Sequence, residues 1–251
     1  MISSSVFFAF ILASVFTLIV PVAILVFLGV KKKIAGLPLL VGALAFFISQ
    51  IVLRLPLMSV LSGQLWYRAF AANLIPYVLV LSLSAGLFEE SARLGGALLL
   101  KKHRSFKDVL SFGLGHAFCE VILLVGFTHI SNIVLCVIAN GANGALAATL
   151  PAGILETAAA QLAAVAPAHI YLGIVERFSA TLLHLFATVL VFKGVLEKKW
   201  YFYALAVAAH TLFNFIGVIL TNFAGVVVAE AALLAMALAA GYYILRARRT
   251  W

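Results

Sequence analysis

Glu89, Glu90 and Arg93, then His116 and Glu120, then Arg177 and His184, then His210 and Asn214 occupy the middles of four separate apolar stretches. A charged side chain at the centre of a bilayer costs roughly 2.5–3.5 kcal/mol even on lenient scales, so a chain carrying several there is expected to gather them in one interior site. Paired carboxylates beside imidazole suit the activation of a water molecule. A low-dielectric pocket can bring a glutamate to a proton affinity fit for general-base work, and a cation one turn away can tune it. Arg93 stands at that spacing from Glu89 and Glu90. His116 can share or relay the proton, and His210 with Asn214, one turn apart, can donate hydrogen bonds to a developing oxyanion. The same residues admit a second chemistry. His116, Glu120, His184 and His210 supply enough nitrogen and oxygen donors for a zinc site with an open position. No His-Glu-x-x-His zinc motif occurs in the chain, so the metal-free glutamate mechanism ranks first, with zinc as the alternative.

The elements that must position these groups are membrane helices. The chain has 251 residues, of which 65% are hydrophobic and 10% charged. A soluble domain of this length could not cover so much apolar surface, so the expected class is an all-α, polytopic transmembrane bundle of seven to eight spans in one integral domain, 1–251. Seven helices are expected at about 6–29, 36–58, 72–100, 108–128, 169–193, 200–221 and 225–246, each near the ~20 residues that cross a ~30 Å core. The catalytic core is expected within 72–221. The first stretch has no basic region before it and reads as a retained span. Basic clusters at Lys31–Lys33, Lys101–Lys107, Lys193–Lys199 and Arg246–Arg249 fall on alternate sides, apart from Arg54 and Arg68 flanking the second loop. The positive-inside rule then gives an outside N-terminus and a cytoplasmic C-terminus. Residues 129–168 hold no Lys or Arg, have breaks around Asn140 to Gly144, and carry Pro151 and Pro167. Here the fourth helix is expected to overrun the membrane boundary, followed by an amphipathic helix near 152–165.

Depth ties the four stretches together. Glu89 and Glu90 precede Lys101 by twelve and eleven residues, His116 follows Lys107 by nine, His184 precedes Lys193 by nine, and His210 follows Lys199 by eleven. At ~1.5 Å per residue all lie ~14–18 Å from one boundary, near the midplane. On the third helix Gly86, Glu89, Glu90, Arg93 and Gly96 or Ala97 share a face, and small residues beside polar ones let helices approach closely.

Phe88-Glu89-Glu90-Ser91-Ala92-Arg93, Phe112-x-x-x-His116 and His210-x-x-x-Asn214 together resemble the three motifs of the CAAX prenyl-endopeptidase family of intramembrane proteases. Glu120, in Gly115-His116-Ala117-Phe118-Cys119-Glu120, and His184 after Arg177 make the chain resemble more specifically the YhfC family, which is grouped with PrsW-type proteases and the anterior-pharynx-defective subunit of gamma-secretase. The resemblance covers about residues 80–220. It implies a bundle of about eight helices that cleaves peptide bonds within the bilayer. Glu89 or Glu90 would activate water with His116, and His210 with Asn214 would stabilise the oxyanion. The CAAX pattern has three residues between its second glutamate and arginine, whereas Ser91 and Ala92 are the two here. Which glutamate is the base and which pairs with Arg93 is therefore open.

The expected partners are membrane lipid and a membrane-associated peptide, in a bacterial cytoplasmic membrane; no basic stripe with interleaved aromatics points to nucleic acid. Two other functions fit buried titratable groups, a proton-coupled transporter and a non-catalytic scaffold. The absence of an inverted repeat argues against the first, and the presence of both glutamates against the second. Arg177 is expected to be a structural partner of Glu120 or Glu176. Cys119 and Cys136 read as small hydrophobes, His129 and His169 as interfacial, Glu156 as solvated, and Glu230 as a packing contact.

Overall fold

Seven helices long and apolar enough to cross a membrane run through the computed structural model, which describes residues 1–141, 144–148 and 153–251. They are α1 (Ser4–Val30), α2 (Gly36–Ser62), α3 (Leu74–Leu99), α4 (Phe106–Ala139), α5 (Pro167–Glu197), α6 (Tyr201–Phe223) and α7 (Val226–Ala247). No strand occurs among the described residues. Six of the seven lie close to their expected bounds, while α4 overruns its expected end by eleven residues, from 128 to Ala139. Asn140 and Gly141, the latter at φ 86°, close that helix. The anticipated amphipathic segment is the helix Ile154–Ala164, with Glu156 exposed. Positions 142–143 and Pro151, where further breaks were expected, lie outside the described residues.

Polarity is arranged inside out. Glu90, Arg93 and His116 are 0% exposed, whereas Phe8, Leu99, Phe223 and Leu245 are 60% exposed or more. A water-soluble fold reverses this order, and lipid enforces it, because apolar side chains gain nothing by hiding from hydrocarbon while charges must.

The chain groups into two compact units. One comprises Met1–Val26 and Val121–Arg177. In it the start of α1 packs on the end of α4 through Val6, Phe10 and Cys136, with Leu162 of the short helix and Ile170 completing the cluster. Asn140 clamps the entry to α1, accepting from the Ile2 amide at 2.8 Å and donating to the Ile2 carbonyl at 3.0 Å. The other unit comprises Phe27–Glu120 and Phe178–Trp251. Its core joins Val109 and Phe112 of α4 to Ala187, Leu190 and Phe192 of α5, with Ala97 and Ala206 from α3 and α6.

Two features of the second unit set where side chains point. Within α2, residues Phe47–Arg54 follow a π-helical path, whose wider turn rotates the faces of the helix relative to regular α geometry. This puts Gln50, which is 2% exposed, against α3. Where α2 crosses α4, glycine backbones touch. A Cβ on Gly42 would meet the Phe112 carbonyl oxygen at 2.0 Å, and one on Gly115 would meet that of Leu39 at 1.9 Å. Backbone oxygens cannot swing aside as a side-chain tip can. Gly115 immediately precedes His116, so this crossing also sets the depth of that ring.

Gly42→Ala and Gly115→Ala are therefore each expected to destabilise by about 1–3 kcal/mol or more, seen as a lowered Tm in detergent. Gly95→Ala, with nothing within 4 Å of its added carbon, should leave Tm unchanged or raised.

Candidate active site

The buried positions of α3 are Val78, Ser82, Ala85, Gly86, Glu89, Glu90, Arg93, Gly96 and Ala97, one continuous stripe at helical spacing. Its small members admit the neighbouring helices, and its polar members meet what those helices bring. Glu90 accepts hydrogen bonds on one oxygen, Oε1, from Arg93 and from His210 Nδ1, the latter at 2.9 Å. The geometry thus pairs Arg93 with Glu90, one turn away, and leaves Glu89 to different partners.

Glu89 is the centre of the cluster. Its Oε1 accepts from Gln50 Nε2 at 2.9 Å and lies 3.7 Å from His210 Nε2. Its Oε2 accepts from His116 Nε2 at 2.9 Å and lies 3.8 Å from His184 Nδ1. Behind these, His184 Nε2 donates to Glu120 Oε2 at 2.7 Å, while its Nδ1 accepts from Arg93 Nη2 at 3.2 Å. A guanidinium can only donate, so that contact assigns the ring proton of His184 to Nε2, facing Glu120. The three imidazoles stand in a row, with ring centroids 5.2 Å apart from His116 to His184 and 5.3 Å from His184 to His210. Phe46 meets His116 edge-on at 5.3 Å and walls that end with hydrocarbon.

Each expected site residue can now be placed. Glu89, Glu90, Arg93, His116, Glu120, His184 and His210 converge, as their common depth predicts. Asn214 sits one turn beyond His210, half-buried, and makes no hydrogen bond to the cluster among the described residues. Arg177 belongs to the other unit and pairs with the adjacent Glu176. Gln50 was missed. Arg54, read as flanking the second loop, is instead held inside α2, donating to Gln50 Oε1 at 3.1 Å, to the Leu81 carbonyl at 2.9 Å and to Ser84 Oγ at 3.1 Å. Arg54 donates to Gln50 and Gln50 donates to Glu89, one chain of bonds that pins Oε1. The signal was present: an amide and a cation four residues apart within an apolar stretch are the same pattern as Glu89 and Arg93.

The donor set also fits a metal ion. Glu89, His116 and His184 each offer one ligand atom, all within 4.8 Å of one another. Tetrahedral zinc with bonds of ~2.0–2.2 Å separates its ligand atoms by roughly 3.3–3.6 Å. The 2.9 and 3.8 Å spacings of the two ring nitrogens from Glu89 Oε2 straddle that value. The grouping differs from the four donors anticipated: Glu89 joins, and Glu120 stands behind His184 in the carboxylate–histidine arrangement that orients metal-binding imidazoles. Glu90 does the same for His210, whereas His116 Nδ1 is buried without a partner.

The chain matches the model of a family described as YhfC intramembrane metalloprotease over residues 16–238. It is similar to a protein of Bacillus subtilis (strain 168) called "Uncharacterized membrane protein YhfC", at 27% identity over 96% of this chain and 95% of that one. No solved structure matches.

Removing one side of a buried ion pair strands a charge, at about 3–5 kcal/mol. Arg93→Met should therefore unfold in detergent well below the native Tm, and the double change Glu90→Gln with Arg93→Met should recover a large part of that loss. Equal Tm values for the single and double variants would show that Arg93 has no such role.

Proposed function

This chain belongs to the YhfC intramembrane metalloprotease family, and we propose that the cluster around Glu89 hydrolyses peptide bonds in a substrate embedded in or lying against the membrane. The observation that carries the reading is the meeting of three imidazole rings and a carboxylate from four spans on one buried point. A purely structural ion pair would need one acid and one base, and Glu90 with Arg93, three residues apart on α3, already supplies that, which leaves Glu89 surplus to it.

In this mechanism Glu89, His116 and His184 would hold a divalent ion, with the His184 Nδ1 lone pair turned from Arg93 to the metal, and zinc is the best match to the nitrogen and oxygen donors. A bound zinc would polarise the scissile carbonyl and make water acidic enough to attack it at neutral pH. His210 moves the proton. Its Nδ1 hydrogen is committed to Glu90, which leaves the Nε2 lone pair facing the site, the orientation a carboxylate gives a catalytic histidine. His210 Nε2 takes the proton from water as the oxygen adds to the carbonyl carbon. It returns that proton to the amine nitrogen as the carbon–nitrogen bond breaks. Arg93 and Gln50 keep the two carboxylates apart and aimed, and Asn214, one turn beyond His210 on α6, is the amide assigned to the oxyanion.

A metal-free reading rests on a different contact. The direct hydrogen bond from His116 Nε2 to Glu89 supports Glu89 itself as the base that accepts the water proton. Either way the substrate arrives from lipid. A groove of about 460 Å³ runs along α3 and α6, lined by Leu79, Leu83, Leu87, Val207, Leu212 and Phe215, on the two helices that carry Glu90 and His210.

Glu89→Gln is expected to lower the turnover of a fluorogenic membrane peptide by at least about 10²-fold, the scale of acid–base loss. Undiminished cleavage by that variant would reject the site. Elemental analysis separates the two mechanisms. Active native protein should carry stoichiometric zinc, His116→Ala and His184→Ala should lose it, and chelation should abolish activity until zinc is restored. Full activity in metal-depleted protein would transfer the role of base to Glu89.

A further inference from the structure

Away from the cluster, a cleft of about 820 Å³ lies where α1 ends, α4 begins and α7 ends. Its rim carries Lys32, Lys33, Lys107 and Arg248, and its floor is Leu28, Ile34, Leu110 and Leu114. We propose that this cleft binds an anionic glycerophospholipid, with the phosphate against the four cations and an acyl chain along the leucines.

Charge argues first. None of the four cations has an ion-pair partner among the described residues, whereas Lys193 and Lys199 are both paired with Glu197. The one acid near them in sequence, Asp108, is turned to capping work. Its Oδ2 accepts from the Ser105 amide at 3.0 Å and from Ser105 Oγ at 2.6 Å, and its Oδ1 lies 4.0 Å from His103 Nδ1. Four like charges around one hollow repel each other until an anion enters.

Shape and polarity argue second. Lys107, Leu110, Ser111 and Leu114 share one face of α4 at spacings of three and four, cationic at the mouth and apolar about 10 Å deeper. Leu28 and Lys32, four apart, repeat the gradient at the end of α1. That end is shaped by the turn bonds from Lys32 N to the Gly29 carbonyl and from Lys33 N to the Leu28 carbonyl, which bring both lysines round onto the cleft. Trp251 closes another wall. Its Nε1 donates to the Arg104 carbonyl at 2.9 Å, and its ring meets Phe106 edge-on at 5.6 Å. Tryptophan is favoured at the level of the headgroups, and basic pockets between span ends match acidic headgroups. An inorganic phosphate would satisfy the rim and leave the leucine floor bare. A phospholipid satisfies both.

The test uses full-length protein purified in detergent and native mass spectrometry, with dioleoyl phosphatidylglycerol, dioleoyl phosphatidylcholine and inorganic phosphate as probes. The unaltered protein should retain phosphatidylglycerol in preference to phosphatidylcholine, and inorganic phosphate should not displace it. The variant K32Q/K33Q/K107Q/R248Q should lose that retention by at least about tenfold, because each basic group near the headgroup adds its own attraction. The variant K101Q/K102Q/K198Q/R249Q removes the same number of charges outside the cleft and should retain the lipid. Three outcomes would overturn the proposal: no preference in the native chain, equal loss in both variants, or displacement by inorganic phosphate. The first is read on unaltered protein, so a folding defect in a variant cannot obscure it.

Discussion

Two carboxylates adjacent in sequence, both buried in a helix surrounded by hydrocarbon, are the constraint around which the second unit is organised. Left alone, neither could remain ionised there. Each is met by donors from other spans, and the two sets differ. Glu90 is closed off by Arg93 and His210 on a single oxygen, while Glu89 receives Gln50 on one oxygen and His116 on the other. One acid therefore does structural work, and its neighbour is left at the meeting point of three imidazoles. The chemistry proposed for Glu89 depends on Glu90 having already absorbed the arginine.

That division needs helices at closer range than large side chains permit. Gly42 and Gly115 let α2 and α4 touch backbone to backbone, and Gly86 sits against Thr211 and the Val207 carbonyl of α6. In lipid there is little hydrophobic gain from bringing spans together, so close backbone approach and polar contacts between helices supply the association. The glycines and the polar cluster thus support one another, each requiring the geometry that the other provides.

The π-helical path in α2 adds the last partner. A regular helix through Phe47–Arg54 would direct its faces differently, and the offset turns Gln50 toward Glu89 while Arg54 reaches back to the Leu81 carbonyl of α3. Such wide turns are frequent at functional sites because they re-aim a side chain without breaking the span. At the opposite extreme of polarity, the basic cleft at the span ends holds its charges at the rim and hydrocarbon below. The chain therefore treats charge in two ways: neutralised internally at mid-depth, and left open to an outside anion at the boundary.

Much of this was legible in the residues. Apolar runs and alternating basic clusters determine seven spans, because membrane thickness imposes a length that composition reveals directly. Counting residues from each basic cluster was enough to place Glu89, Glu90, His116, His184 and His210 at one depth, since rise per residue is constant along a helix. Depth along the membrane normal is a one-dimensional quantity, and a sequence carries it. Direction around each axis is another matter. Whether Arg93 takes Glu89 or Glu90, whether Glu120 or Glu89 groups with His116 and His184, and whether Gln50 faces inward depend on helix rotation, on the π turn and on which backbones can touch. Those are set by packing between segments far apart in the chain, so only the tertiary structure decides them.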